Sequence, residues 1–224
     1  MPEEGVAGAS GMVGVLLAHA QDGAPDQLTD AVMAAASEIG GSSVAIYLID
    51  YGQGRLRALP PCGEASLQHE ASVQDSHPGT CFRTLEPVIE QAGDQAHGAA
   101  GRERLVRCWL PILAGAERLG VLGVTFEDRG SCLDEVVAQC AQLGRLLGLL
   151  LVAKGAYADT YQRVARRQEM SLAAEMQWQI LPPLTASTDR VVVSGILEPC
   201  YEVGETPSIT PLRVIACTLQ CSTP

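Results

Sequence analysis

Cysteine, histidine and clustered carboxylates are the residue types in this chain that could do chemistry, and their spacing decides how much. Eight cysteines stand at 62, 81, 108, 132, 140, 200, 217 and 221. None forms a Cys-x-x-Cys pair and most lie in apolar or helical runs, so they read as small hydrophobes kept reduced rather than as a disulfide framework. The histidines, His19, His69, His77 and His97, have no i, i+4 histidine partner, and their spacing supports no metal or haem site. Glu198, Glu202 and Glu205 are the carboxylates of the last segment, and no aspartate follows Asp189. A two-ion hydrolytic centre needs several carboxylates converging on ions about 3.5–4 Å apart. These glutamates do not supply one, so the chain is expected to hold no catalytic residue, no metal ligand and no cofactor of its own. A redox role for Cys81 or Cys108 would require a depressed thiol pKa.

The elements that would position these groups can be read from periodicity. Apolar residues at Leu28, Ala31, Val32, Ala35, Ala36 and Ile39 predict an amphipathic helix over 26–39, closed by Gly40-Gly41. The β-branched run 43–50, the turn Tyr51-Gly52-Gln53-Gly54 and a second run over 55–59 predict a hairpin. Residues 60–80 read as loop, followed by a helical turn over 80–85 and a short strand over 87–90. Two apolar runs, 105–113 and 119–126, are joined by Ala114-Gly115-Ala116-Glu117 and predict an antiparallel pair. From Leu133 the pattern turns helical and meets no proline before Pro182, which predicts one helix of about 48 residues, roughly 70 Å long. Its spacing Leu143, Leu146, Leu150, Ala153, Tyr157, Thr160, Val164 fits a coiled-coil seam that Arg167 and Ser171 break; a homodimer through it is expected, with a helix that packs on its own chain as the even alternative. A strand over 190–195 then opens a new unit.

The sequence holds 224 residues with a net charge of −11, which repels phosphate backbones and anionic lipid surfaces. Nucleic-acid and membrane-surface partners are therefore not expected. The Met1-Pro2-Glu3-Glu4 start lacks the basic region of an export signal, and the most apolar later run, 143–153, is shorter than the roughly twenty residues of a membrane span. The expected location is cytoplasmic.

The order helix, hairpin, irregular crossover, Thr80-Cys81-Phe82-Arg83-Thr84, Pro87-Val88, Trp109-Leu110-Pro111-Ile112 and Glu117-Arg118-Leu119-Gly120-Val121-Leu122-Gly123-Val124 resembles a GAF sensory domain over 10–153. The resemblance implies an α+β fold, an antiparallel sheet flanked by helices that cradles a small ligand. It also implies that Tyr47, Cys81 and Trp109 lie on pocket-lining segments, although core packing alone would account for buried residues of these types. The stretch Arg166-Arg167-Gln168-Glu169-Met170 to Trp178-Gln179-Ile180-Leu181-Pro182-Pro183-Leu184, followed by Gly195-Ile196-Leu197-Glu198-Pro199-Cys200-Tyr201-Glu202-Val203-Gly204, resembles the start of a bacterial sporulation-stage-II-E-type serine/threonine phosphatase. Residues 154–183 would then be a signalling helix and 184–204 the incomplete beginning of a phosphatase domain. Glu198, Tyr201 and Gly204 are the remnant of its lead-in motif.

That family continues Gly-Gly-Asp-x-x-Asp, whose aspartates hold Mn²⁺ or Mg²⁺. Here Glu205, Thr206 and Ile209 stand in that region, and the tail 205–224 does not look native to such a domain. Restoring one base ahead of the Glu205 codon, with codons chosen among synonyms, lets the same stretch encode Gly-Gly-Asp-Thr-Phe-Asp and later Phe-Asp-Ala-Met. A frameshifted, truncated phosphatase is therefore expected: a sensory and dimerisation module without catalysis, or, if the true sequence continues in the other frame, a phosphatase acting on anti-sigma-factor antagonists. Trp178, Leu181 and Leu184 would be left as exposed apolar surface.

Overall fold

The structure, a computed structural model, describes residues 3–24, 27–60, 69–95, 103–127, 133–155, 160–166, 171–172, 176, 185–187, 191–195 and 217–221. The elements in order are α1 (Glu3–Asp22), α2 (Leu28–Ser37), β1 (Gly41–Ile49), β2 (Arg55–Ala58), β3 (Glu70–Ser72), α3 (His77–Thr84), β4 (Val88–Gln95), β5 (Glu103–Ala114), β6 (Glu117–Glu127), α4 (Leu133–Gly155), α5 (Thr160–Ala165), β7 (Thr185–Ser187), β8 (Val191–Gly195) and β9 (Cys217–Cys221). Strands β1 to β6 form one sheet in the order β3-β2-β1-β6-β5-β4, and every neighbouring pair is antiparallel.

The two faces of this sheet follow from strand alternation. Val44, Ile46, Leu48, Cys108, Leu110, Ile112, Leu122 and Val124 point to one side, where they meet Met12 and Leu16 of α1, Leu28 and Val32 of α2, and Cys140, Leu143 and Leu147 of α4. Ala45, Tyr47, Trp109 and Val121 point to the other side, where Cys81 and Phe82 of α3 and Val73 of the crossover cover them. This is the α+β arrangement expected from the sequence.

The turn between β1 and β2 is held by its own side chain. Asp50 Oδ1 accepts hydrogen bonds from the Gly54 N–H at 2.8 Å and the Arg55 N–H at 3.0 Å, and Gln53 takes a left-handed φ of 52° inside this clasp. α3 is capped at its start by Ser76, whose hydroxyl accepts from the Gly79 N–H at 3.0 Å. At its other end the Arg118 guanidinium donates to the Phe82 and Arg83 carbonyls at 3.2 and 3.0 Å, satisfying acceptors that the helix leaves open.

Several expectations are corrected. The Gly- and Ala-rich lead is a helix, α1, because Met12 and Leu16, four apart, both bury in the core where α1 packs on α2 and α4. The loop region 60–80 contains β3, and the strand expected over 87–90 runs on to Gln95. The single 48-residue helix is not formed: Arg166 is not helical, and α4 lies against β5 whereas α5 lies against β1 and β2. Leu143, Leu150 and Val164 of the expected coiled-coil seam pack on their own chain instead, because the sheet offers them a nearer apolar surface than a second helix would. The tail also contains a regular element. Cys217–Cys221 pairs antiparallel with β8, placing Cys217, Leu219 and Cys221 opposite Gly195, Val193 and Val191.

At 22 residues, Asp134–Gly155 is long and apolar enough to cross a membrane, longer than the apolar run read from sequence. Its Cys140, Leu143, Leu147, Leu150 and Leu151 are spent on the core under the sheet. Gly144 and Gly148 sit where α4 crosses β5. A Cβ on Gly144 would lie 3.1 Å from the Pro111 carbonyl oxygen, and one on Gly148 would collide with the Leu113 carbonyl. Two glycines four apart therefore let the helix backbone approach the strand, at about 1 kcal/mol each in helix propensity.

Candidate functional site

The α3-covered face of the sheet gathers the polar groups that the other face lacks. Register places Val88, Trp109, Gly123 and Ala45 in one row across β4, β5, β6 and β1, and Glu90, Arg107, Thr125 and Ser43 in the next. Residues in one row share a face. Trp109 is 2% exposed. Its six-membered ring lies over Gly123, where an added Cβ would come within 2.5 Å of the ring. Tyr47 meets it edge-on, with centroids 5.7 Å apart and planes at 65°.

Arg107 is buried beside it, its guanidinium carbon 5.7 Å from the Trp109 ring centroid. The charge is compensated: Nε donates to Thr125 Oγ1 at 3.1 Å, and Nη1 donates to Glu90 Oε1 at 3.3 Å. The other carboxylate oxygen of Glu90 lies 2.5 Å from Nδ1 of His77, the first residue of α3, whose side chain is largely exposed. A polar line thus runs from the surface at His77 through Glu90 and Arg107, whose guanidinium lies over the Trp109 ring.

One atom in this arrangement is left over. The indole Nε1 of Trp109 is buried and donates to no acceptor among the described residues. A buried N–H without a partner costs about 1–3 kcal/mol relative to a satisfied one, and an acceptor oxygen brought to it would remove that cost.

Cys81 lies in the same cluster, fully buried on α3. Burial pushes its thiol up to about 12, with Cys108 as a secondary cause. Cys108, on the opposite face, is pushed up to about 11 by burial, and burial also raises Cys140. These three are free, buried thiols. The low-pKa condition that a redox role for Cys81 or Cys108 requires is therefore not met.

The structure brings Tyr47, Cys81 and Trp109 together in one cluster. Glu198, Tyr201 and Gly204, like Trp178, Leu181 and Leu184, lie outside the described residues. Arg107, Glu90 and Thr125 join the site without having been singled out in the sequence, as do His77, weighed there only as a metal ligand, and Gly123, quoted there only within the resembling segment. The only pointer was the alternation of β5, which puts Arg107 on the same face as Trp109. Among the described residues no group of three histidine, cysteine, aspartate or glutamate side chains could hold a metal ion. A second polar dent, at Asp50, Arg55, Arg57 and Glu70, is occupied by its own pairings. Arg57 lies 3.1 Å and Arg55 4.0 Å from Glu70.

Three solved structures share this architecture. The nlh2 GAF domain of A. aeolicus in an inactive state matches with a TM-score of 0.51 and 16% identity, covering 66% of this chain and 96% of its own. A GAF sensor protein from Burkholderia vietnamiensis matches with a TM-score of 0.50 and 15% identity over 69% of this chain and 94% of its own. The chain has the GAF fold. Free methionine-R-sulfoxide reductase from Neisseria meningitidis, solved with its substrate, also matches, with a TM-score of 0.52 and 13% identity over 70% of this chain and 96% of its own. No family model and no curated relative matches the sequence. The GAF sheet and its helices are thus established at the level of fold; α1 starts before residue 10, and α5, after residue 153, packs on β1 and β2.

Proposed function

We propose that this chain is a sensory module whose GAF domain takes up a small organic molecule on the face carrying Trp109, Tyr47 and Cys81, and that these 224 residues carry no hydrolytic activity. The observation that supports the reading is the buried Trp109 Nε1–H, which has no acceptor among the described residues. It sits in an otherwise apolar cluster beside a compensated guanidinium, a setting suited to an apolar body bearing one acceptor oxygen. The Neisseria protein shows the same fold in complex with its own small substrate.

The absence of catalysis rests on the donor set. A phosphatase of the resembled type would bind Mn²⁺ or Mg²⁺ through aspartates, and Glu198, Glu202 and Glu205 with no aspartate after Asp189 do not fit that site. The tests are independent. Incubated with Mn²⁺ and a phosphoserine peptide, the purified chain releases no phosphate, and metal-dependent turnover would contradict this part. In thermal melts against a panel of small carboxylates and amides, at least one raises the midpoint of the wild-type chain, and Trp109→Phe abolishes the rise. A ligand at a hundred times its Kd adds about 2.7 kcal/mol. A rise that persists in the variant would place binding elsewhere.

A second reading follows from the tail's reverse translation: with codons chosen among synonyms, one restored base would let the tail encode Gly-Gly-Asp-Thr-Phe-Asp after Val203, and the protein continuing in that frame would be a GAF-regulated phosphatase acting on anti-sigma-factor antagonists. A genomic read across the codons for 203–206 decides it: an additional base supports the longer enzyme, and an unchanged sequence removes it.

The module is further proposed to form a homodimer through its helices, by a surface other than the expected seam. Leu149 and Val152 of α4 and Leu17 of α1 are 63%, 54% and 57% exposed, and these, rather than Leu143 and Leu150, are free to meet a second copy.

A further inference from the structure

The second side-chain torsion of a tryptophan joins an sp³ to an sp² carbon and is broad and roughly two-fold. Burial alone therefore leaves an indole more than one way to lie, and each sends its N–H in a different direction. In this structure Cζ3, Cε3 and Cη2 of Trp109 are the ring atoms that an added Cβ on Gly123 would meet. They form the far side of the indole from Nε1, so the N–H is turned away from that glycine. Gly123 admits the ring but has no side chain with which to hold it. Tyr47 meets the ring edge-on, and the Arg107 guanidinium stands over it, 5.7 Å from the centroid. Arg107 is itself gripped from two neighbouring strands. Thr125 Oγ1 of β6 accepts from its Nε at 3.1 Å, and Glu90 Oε1 of β4 accepts from its Nη1 at 3.3 Å. The other oxygen of Glu90 is met by His77 of α3. A buried ion pair gives up hydration for its attraction and adds little net stability. What this one adds is a cation fixed at a set place over the ring.

We infer that Arg107 is the positioning residue of this face: it holds the Trp109 indole in one orientation, so that Nε1–H points one way before any ligand arrives. The consequence for affinity rests on the proposed uptake of a small molecule at Trp109, whereas the hold on the ring stands on this geometry alone. A donor aimed in advance has less freedom to lose on binding. A contact residue keeps its geometry through the hydrogen bonds behind it, and Thr125 and Glu90 supply these one step removed, through Arg107. Arg107 acts through the ring and needs no contact of its own with the ligand.

The experiment uses the full chain with Trp178→Phe, in which the one indole ¹H–¹⁵N resonance belongs to Trp109, and adds Arg107→Met or Thr125→Val to this parent. Thr125→Val keeps the shape and the Glu90 pair and removes one of the two grips, so it reports even where Arg107→Met does not fold. Without ligand, the parent is expected to give one sharp indole resonance and each variant a broadened or doubled one, while the amides of Ile46 and Leu122 on the opposite face stay protected from exchange. On titration with benzoate and with acetamide, a probe that saturates in the parent is expected to bind about tenfold more weakly in the variants. A single sharp resonance in every folded variant would overturn the inference, because the order of the ring would owe nothing to Arg107. Broadening with undiminished affinity would overturn the role of Arg107 in binding. A parent resonance that neither probe moves would count against the binding reading and remove the consequence for affinity, and the ligand-free spectra would still decide whether Arg107 sets the ring.

Discussion

Gly123 and Trp109 work as a pair: the indole can lie flat across β6 only because position 123 has no Cβ. Gly123→Ala should therefore displace the ring and cost about 1–3 kcal/mol by overpacking. A lower denaturant midpoint with a changed near-ultraviolet aromatic signal would bear this out. The buried thiols give a second prediction. Cys81 is raised from 9.0 to about 12 and Cys108 from 9.0 to about 11 in the folded protein. A thiol that holds its proton more tightly when folded contributes fully below the unfolded pKa, and that contribution is lost as pH rises through the folded one. Urea midpoints should thus be level up to pH 9.0 and fall beyond it, with a shallower fall in Cys81→Ala; a midpoint that rises above pH 9.0 would contradict the burial of these groups. Tyr47, Cys81 and Trp109 were legible in the sequence because apolar strands and a family resemblance point to them. Arg107 and Glu90 were not. A charged residue inside a strand reads as solvent-facing, and only the register that sets Glu90 and Thr125 beside Arg107 shows how its charge is compensated.

Apolar and β-branched runs with a turn signal between them were legible as elements, as β1, β2, β5 and β6 show. β3 was missed because three residues cannot display a period, and α1 because its small side chains carry little apolar signal apart from Met12 and Leu16. The long helix failed for another reason. Helical pattern from Leu133 onward states a local preference, and the tertiary burial of Tyr161 against the sheet side overrode it. The glycines of α4 look like defects in sequence and become contacts in the fold. Gly148→Ala should destabilise by about 1–3 kcal/mol, and Gly144→Ala by less, because the first would drive a methyl into a backbone carbonyl and the second asks for a shift of a few tenths of an ångström. Equilibrium unfolding of the two variants side by side checks the order, and a more stable Gly148→Ala protein would mean that helix propensity outweighs the close approach.

For the molecule as a whole, a net charge of −11 and the exposed apolar side chains Leu17, Leu149 and Val152 act in opposite directions on association. The proposed dimer should be disrupted by Leu149→Glu, which sets a carboxylate there in each copy, while the fold is retained. Light scattering should report half the mass of the wild-type species, and an unchanged mass would remove Leu149 from the interface. The central claim is that the Trp109 face is a binding site with one donor waiting for an acceptor. The chain has two tryptophans, so in a Trp178→Phe background the indole ¹H–¹⁵N resonance reports Trp109 alone. Titrated with acetate, benzoate and acetamide, that resonance should move and saturate with at least one probe. A Trp109 resonance that stays put with all three, in a protein that remains folded, would contradict the account.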